Sequence, residues 1–205
     1  MRARERDRTL VLAIAAGAAI FVAMSLMERR GEPWLDRAGF DVLASSRDGV
    51  LVTLANTWLR SAVEYAIAAG AVITAVVLTV RGRGREAATF LAGVVAVVAA
   101  TAIAKSAFAR ARPGRELVIV GGNSFPSSHA AYSIAIIALA IVLTRTLSRA
   151  QRLAIVALAV LAAALIGAWL IAVRTHFVTD VLAGWGLSSA LFAACALAEN
   201  HLPHR

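Results

Sequence analysis

The chain has 205 residues, 60% of them hydrophobic, with a mean hydropathy of +0.76. That is more apolar than a soluble domain, and the length suits one compact membrane domain with no second soluble one. The formal charge of +9 comes mainly from arginines that punctuate apolar segments, not from a basic patch on a polar domain, which sets nucleic-acid binding aside; the single cysteine, Cys195, excludes an intrachain disulfide framework.

A basic tail, residues 1–8, precedes a first apolar run at 10–27. A basic start and an apolar core also describe a cleaved signal peptide. This run is long enough to cross a bilayer and no small-residue cleavage site follows it, so it reads as a retained span. Residues 28–48 are polar, with Pro33 and scattered charge, and read as a loop carrying an interfacial helix. The apolar stretch 50–59 is too short to cross. Further spans are expected at 62–80, 87–104, from His129 to just before Arg145, 153–173 and 177–197. Short basic loops at 81–85 and 144–152 separate them. So does a polar connection, 105–128, whose Pro113, Gly114, Gly121, Gly122 and Pro126 are loop signals. The expected fold is all-α: a single polytopic bundle over 1–205 with six transmembrane helices.

Six spans put both termini on one side. The tail arginines, Arg81, Arg83 and Arg85, and Arg145, Arg149 and Arg152 then share that side, which the positive-inside rule makes cytoplasmic. Arg29, Arg30, Arg37 and Arg112 lie opposite, so the bias is one of density in short loops. The loops 28–48 and 105–128 and the turn around His176 are then extracytoplasmic.

Three polar clusters share that expected outer face. The first is "KSAFARARP", Lys105 to Pro113. Lys105 is the only lysine beside twenty arginines. A lone lysine at the end of a span suggests a functional cation; the alternative is a cation snorkelling from a helix end, the role that fits Arg110 and Arg115 best. The second is "NSFPSSHAAYS", Asn123 to Ser133. Pro126 opens a helix that Ser127 or Ser128 can cap, free N–H groups at such a start bind an anion, and His129 lies in the first turn. Its bland alternative is an ordinary capped helix with an interfacial histidine. The third is "RTHFVTDVLAGW", Arg174 to Trp185. His176 and Asp180 are four apart, hence stacked on one helical face, where a carboxylate fixes the imidazole tautomer and raises its basicity. A carboxylate inside a span is a functional-site hypothesis; the alternative is a structural ion pair with Arg174 or another cation.

Two imidazoles, one oriented by a carboxylate, with fixed cations and a helix start suit phosphoryl transfer through a covalent intermediate. There is no H-E-x-x-H, cysteine pair or carboxylate cluster, so no metal site and no cofactor is expected. Arg81-Gly-Arg-Gly-Arg85 lacks the ending of a phosphate-binding Walker loop.

With these residues the chain resembles the type 2 phosphatidic acid phosphatase superfamily of integral membrane lipid phosphatases, whose motifs are K-x6-R-P, P-S-G-H and S-R-x5-H-x3-D. The first is complete as Lys105, Arg112 and Pro113. The second stands as Pro126-Ser-Ser-His129, with Ser128 at the usual glycine. The third keeps His176 and Asp180, but Trp169-Leu170 replaces Ser-Arg. The resemblance implies that His176 is the nucleophile, Asp180 orients it and His129 protonates the leaving oxygen. Lys105, Arg112, Ser127 and N–H groups near Ser128 would hold the phosphate, without metal. Arg174, four residues after Leu170 or roughly 6 Å along a helix, is the expected stand-in for the missing arginine; otherwise the site is weakened or specialised. Vanadium haloperoxidases share such a site but are soluble. The implied partner is a membrane lipid phosphate, with isoprenyl diphosphate (undecaprenyl diphosphate among them), phosphatidate and phosphatidylglycerol phosphate all compatible. A lipid-to-lipid phosphotransferase and a non-catalytic anionic-lipid binder or transporter are the competing functions.

Overall fold

The computed structural model describes residues 3–31, 33–43, 49–50, 52–53, 62–114, 116–118 and 120–202. Among them run seven helices: α1 (Ala3–Arg29), α2 (Trp34–Leu43), α3 (Ala62–Val80), α4 (Gly84–Phe108), α5 (Ser128–Leu143), α6 (Arg149–Ala172) and α7 (Val178–His201). Arg115 and most of the 50–59 stretch lie outside the described residues.

Ala- and Leu-rich runs favour helix, and local chemistry sets their ends. Ser148 and Gln151 form a capping box at the start of α6, each side chain accepting from the other's backbone N–H. α4 ends where Ala109 turns left-handed and its N–H donates to the Lys105 carbonyl. That fixes where the connection to α5 begins.

Four helices, α1, α4, α6 and α7, contain segments long and apolar enough to cross a membrane. α3 and α5 carry the shorter apolar segments; the 16 residues of α5 rise about 24 Å, short of a hydrocarbon core of about 30 Å. Length and composition therefore support four of the six expected crossings directly. Leu12, Val72, Val95, Leu158 and Leu165 are exposed. Such a surface suits a hydrocarbon solvent and would be a liability in water. The chain is a multi-pass membrane protein.

Packing inside the bundle uses small residues, as expected where lipid removes most of the hydrophobic drive between helices. α1 lies along α7, and Gly17 faces Gly186. A Cβ on Gly17 would come within 2.5 Å of the Gly186 carbonyl, and one on Gly186 within 2.7 Å of the Gly17 carbonyl. A Cβ on Gly184 would meet the Ser127 carbonyl at 2.5 Å. This second glycine lets α7 touch the start of α5, which brings the two polar helix starts together.

The bundle has two polar ends. At one, Glu86 pairs with Arg83 and Arg145, Arg85 donates to the carbonyls of Glu199 and Leu202, and Asn200 donates to Asp7. The start of α1, the end of α7 and the short basic loops gather there. At the other end lie the outer turn of α4, the 109–127 connection, the start of α5 and the α6–α7 turn. The helix expected within 28–48 is α2, packed there against α6 and α7.

Candidate active site

The α6–α7 turn presents the central imidazole. The Leu170 carbonyl accepts from the N–H groups of Thr175 (3.1 Å) and His176 (3.3 Å) and from the Thr175 hydroxyl (3.0 Å). This folds the chain back so that His176 faces the start of α7. The His176 Nδ1 lies 3.3 Å from Asp180 Oδ2, which also accepts from the Phe177 N–H at 2.9 Å. A carboxylate only accepts, so these partners assign the ring hydrogen to Nδ1 and leave the Nε2 lone pair open. His176 and Asp180 are both buried.

Arg112 occupies the space before that lone pair. Its Nη1 lies 3.4 Å from His176 Nε2 and donates to the Thr175 carbonyl at 2.7 Å, while its other nitrogens hold the carbonyls of Gly121 and Gly122. Burial pulls its pKa below the usual guanidinium value, opposed by Glu116 and Asp180. Burial also pulls His176 below the usual imidazole value; Asp180 opposes this, and Arg112 and Lys105 reinforce it. Burial thus favours the neutral form of the ring.

Lys105 and Asn123 brace each other. The lysine Nζ donates to the Asn123 carbonyl at 2.6 Å, and the Asn123 amide donates to the Lys105 carbonyl at 2.9 Å. The end of α4 is thereby stitched to the stretch that leads into α5. Ser127, not Ser128, is the N-cap: its Oγ accepts from the Ala130 N–H at 3.3 Å, and its own N–H donates to the Asp180 carbonyl at 3.0 Å. That bond ties the start of α5 to the residue whose carboxylate contacts the His176 ring. Ser128, half-buried, is the first helical residue. The N–H groups of such a first turn have no intrahelical acceptor.

His129 follows. Its Nε2 is buried and makes no hydrogen bond among the described residues. A buried ring nitrogen without a protein partner calls for an explanation. The fields of Lys105, Arg112 and His176 all reach this ring. Five expected site residues (Lys105, Arg112, Ser127, His129 and Asp180) are thus gathered around His176, with Ser128 at the helix start beside them.

Two expectations change. Arg174 adopts a left-handed backbone, φ 56°, and its guanidinium lies over the Phe40 ring of α2 at 5.4 Å. That geometry does not favour it as the replacement for the missing motif cation. Leu170, at the motif position, is buried in an apolar cluster with Val118, Ala130, Val173 and Val181. A cation there would meet hydrocarbon rather than phosphate.

Arg110, expected to snorkel, is instead only 10% exposed and bridges two buried carboxylates. It donates to Asp180 Oδ1 at 2.6 Å, to Asp36 Oδ2 at 2.8 Å and to the Thr179 hydroxyl at 2.7 Å, with its guanidinium 3.9 Å from the Phe177 ring centre. Charge-assisted hydrogen bonds to two buried acids outweigh the pull of solvent on a cation that could otherwise snorkel. Asp36 carries no sequence signal beyond being an acid on a short amphipathic helix, and sequence reasoning misses it. Among the described residues no group of three or more His, Cys, Asp or Glu side chains is placed to hold a metal ion.

A comparison with curated proteins gives no match. Among solved structures, the chain is similar to a transmembrane PAP2-type phosphatidylglycerolphosphate phosphatase from Bacillus subtilis, at 22% identity and a TM-score of 0.57, over 100% of this chain and 99% of that one. The likeness is one of fold. The family model of the PAP2 superfamily matches residues 86–202, more than half of the sequence, and takes in Lys105, Arg112, His129, His176 and Asp180. The chain belongs to the PAP2 superfamily.

Proposed function

We propose that the protein is a metal-independent lipid phosphate or lipid diphosphate phosphatase working through a phosphohistidine at His176. One observation carries this most directly: the Nε2 lone pair of His176 is left open by the Asp180 contact and faces Arg112, while the Nε2 of His129 has no hydrogen-bond partner among the described residues. In the first half-reaction the Nε2–P bond forms as the bond from phosphorus to the lipid oxygen breaks. His129 gives its proton to that oxygen, and the Nδ1–H bond to Asp180 stabilises the positive ring. In the second, a water oxygen attacks phosphorus, the N–P bond breaks and His129 takes the water's proton. Lys105, Arg112 and the N–H groups at the start of α5 face the equatorial oxygens. Membership of the PAP2 superfamily and the membrane fold support a lipid substrate.

Release of inorganic phosphate from a panel of lipids, with chelator present, tests the reading. Phosphatidylglycerol phosphate belongs in the panel because the similar Bacillus subtilis structure is titled for it, beside phosphatidate and an isoprenyl diphosphate. Label passing to a second lipid instead of water would mark a transferase. Binding without turnover would mark a lipid binder.

The site is proposed to face outward, six crossings being kept. A cysteine at exposed Gly121, in a Cys195→Ser background, should react with an impermeant thiol reagent in intact cells. Labelling only after lysis would invert the topology.

The depressed pKa of His176 sets a pH dependence. Only the neutral ring attacks, and kcat/KM reports the free enzyme. Its acid limb should therefore fall below the ordinary imidazole value of about 6.5, so activity persists as pH drops through that value. A limb above it, matched to His176 by direct titration of its ring, would contradict the burial argument.

A further inference from the structure

We propose that Arg110 and Asp36 are positioning residues for the nucleophile: α2, through a carboxylate–guanidinium–carboxylate relay, holds Asp180 and with it the His176 ring. This rests on His176 being the nucleophile. Neither residue is assigned by the family motifs; Arg110 is one of the unspecified positions between Lys105 and Arg112.

The relay is built from short contacts. Asp36 and Asp180 are both fully buried, and Arg110 binds one oxygen of each. Asp36 also accepts from the Thr179 N–H (2.9 Å) and the Thr179 hydroxyl (2.9 Å). Phe177, the N-cap of α7, offers no side-chain acceptor. Asp36 therefore caps α7 from another helix, while Asp180 covers the Phe177 N–H. Two carboxylates at a helix N-terminus meet its positive end. One guanidinium offsets much of what remains.

The division of oxygens matters for chemistry. Arg110 takes Oδ1 of Asp180, and Oδ2 is left for His176 and the Phe177 N–H. A carboxylate pinned at one oxygen cannot rotate, so the other presents a fixed lone pair to Nδ1. Asp36 decides how much of the guanidinium's charge Asp180 receives. Phe177 lies under Arg110 and against Phe40 of α2, which stiffens the turn carrying His176.

A clamp that merely joined α2 to α7 would not tune the ring. The relay tunes it in opposite directions. Among the described residues, the charged and titratable groups facing His176 are Asp180 from α7, His129 from α5, Lys105 from α4 and Arg112 from the α4–α5 connection, with Arg110 acting through Asp180. Asp36 of α2 acts through Arg110, and Arg174 on the same turn is directed to Phe40. Weakening Arg110 leaves the Asp180 charge less compensated and favours the imidazolium. Neutralising Asp36 gives Asp180 the whole guanidinium and disfavours it.

The test uses full-length protein in detergent with imidazole-labelled histidine, the His176 signals being assigned by loss in His176→Gln. Arg110→Gln should raise the pH at which the His176 ring titrates, and Asp36→Asn should lower it. In both, kcat should fall about tenfold or more, the scale for losing the outer partner of a working imidazole, with KM within about threefold. Arg110→Gln leaves two buried carboxylates without a cation and can fail to fold. Arg110→Lys then serves, since it keeps the charge but lacks the planar fork. It should lower kcat and give mixed His176 tautomers. Unchanged titration and tautomer of His176 in folded Asp36→Asn and Arg110→Lys would overturn the relay. The ring signals are read without turnover, so a wild-type protein that releases no phosphate would defeat the functional proposal and still leave this one decided.

Discussion

His176→Ala should abolish phosphate release, lowering kcat by about 10⁴-fold or more, the scale of removing a nucleophile from a coupled set. Among the described residues no other group is placed to replace it. The neighbouring imidazole, His129, is the proposed acid, and the turn that presents His176 holds Thr175 with its hydroxyl bonded to the Leu170 carbonyl. Asp180→Asn should leave a folded protein with strongly reduced kcat, because an amide beside Nδ1 can donate as well as accept and no longer enforces one tautomer. Its Oδ1 contact with Arg110 becomes a neutral bond, so thermal stability should be measured alongside. Near-wild-type turnover by His176→Ala on the best lipid would end the mechanism.

Arg112→Ala should lower kcat/KM by about 10²- to 10³-fold, the effect of losing one preorganised donor to a transition state. Its guanidinium is held by three backbone carbonyls and lies beside His176 Nε2, where the transferring group must pass. Arg174→Ala is the comparison. Its head lies over Phe40, and a cation–π contact of this kind contributes about 0.5–1 kcal/mol at exposed sites. It should change kcat/KM only a few fold. Equal losses at both positions would show that Arg174 swings to the phosphate and replaces the arginine missing at Leu170.

The expected spans at 62–80, 87–104, 153–173 and 177–197 correspond closely to α3, α4, α6 and α7, because apolar length is a one-dimensional signal. Residues 10–27 fall within α1, which extends into the basic tail because Arg4, Glu5 and Arg6 favour helix as well. His176 and Asp180 were legible because their spacing is local and helical. The span layout already put the clusters of Lys105, His129 and His176 on one face, and the role of Arg112 came from the resemblance; the structure supplies the physical means of their approach, through Asn123, Gly184 and the Ser127 bond to Asp180.

What was not legible is tertiary. Arg110 and Asp36 are 74 residues apart, and nothing local distinguishes Arg110 from an interfacial anchor. The direction of Arg174 depends on the left-handed turn and on Phe40, both set by how α2 docks. Leu170 looked like a lost ligand. In the fold it is an apolar residue whose carbonyl shapes the turn under His176, so its side chain belongs to packing and its backbone to the site.

The central claim is a covalent phosphoryl group on His176. Rapid denaturing quench of the protein with ³²P-labelled lipid, followed by peptide mapping, tests it most directly. The account predicts base-stable, acid-labile label on the peptide containing His176 in the wild-type protein, and none in His176→Ala. Phosphate release by wild-type protein with no protein-bound label under any quench, or label on another residue, would contradict it.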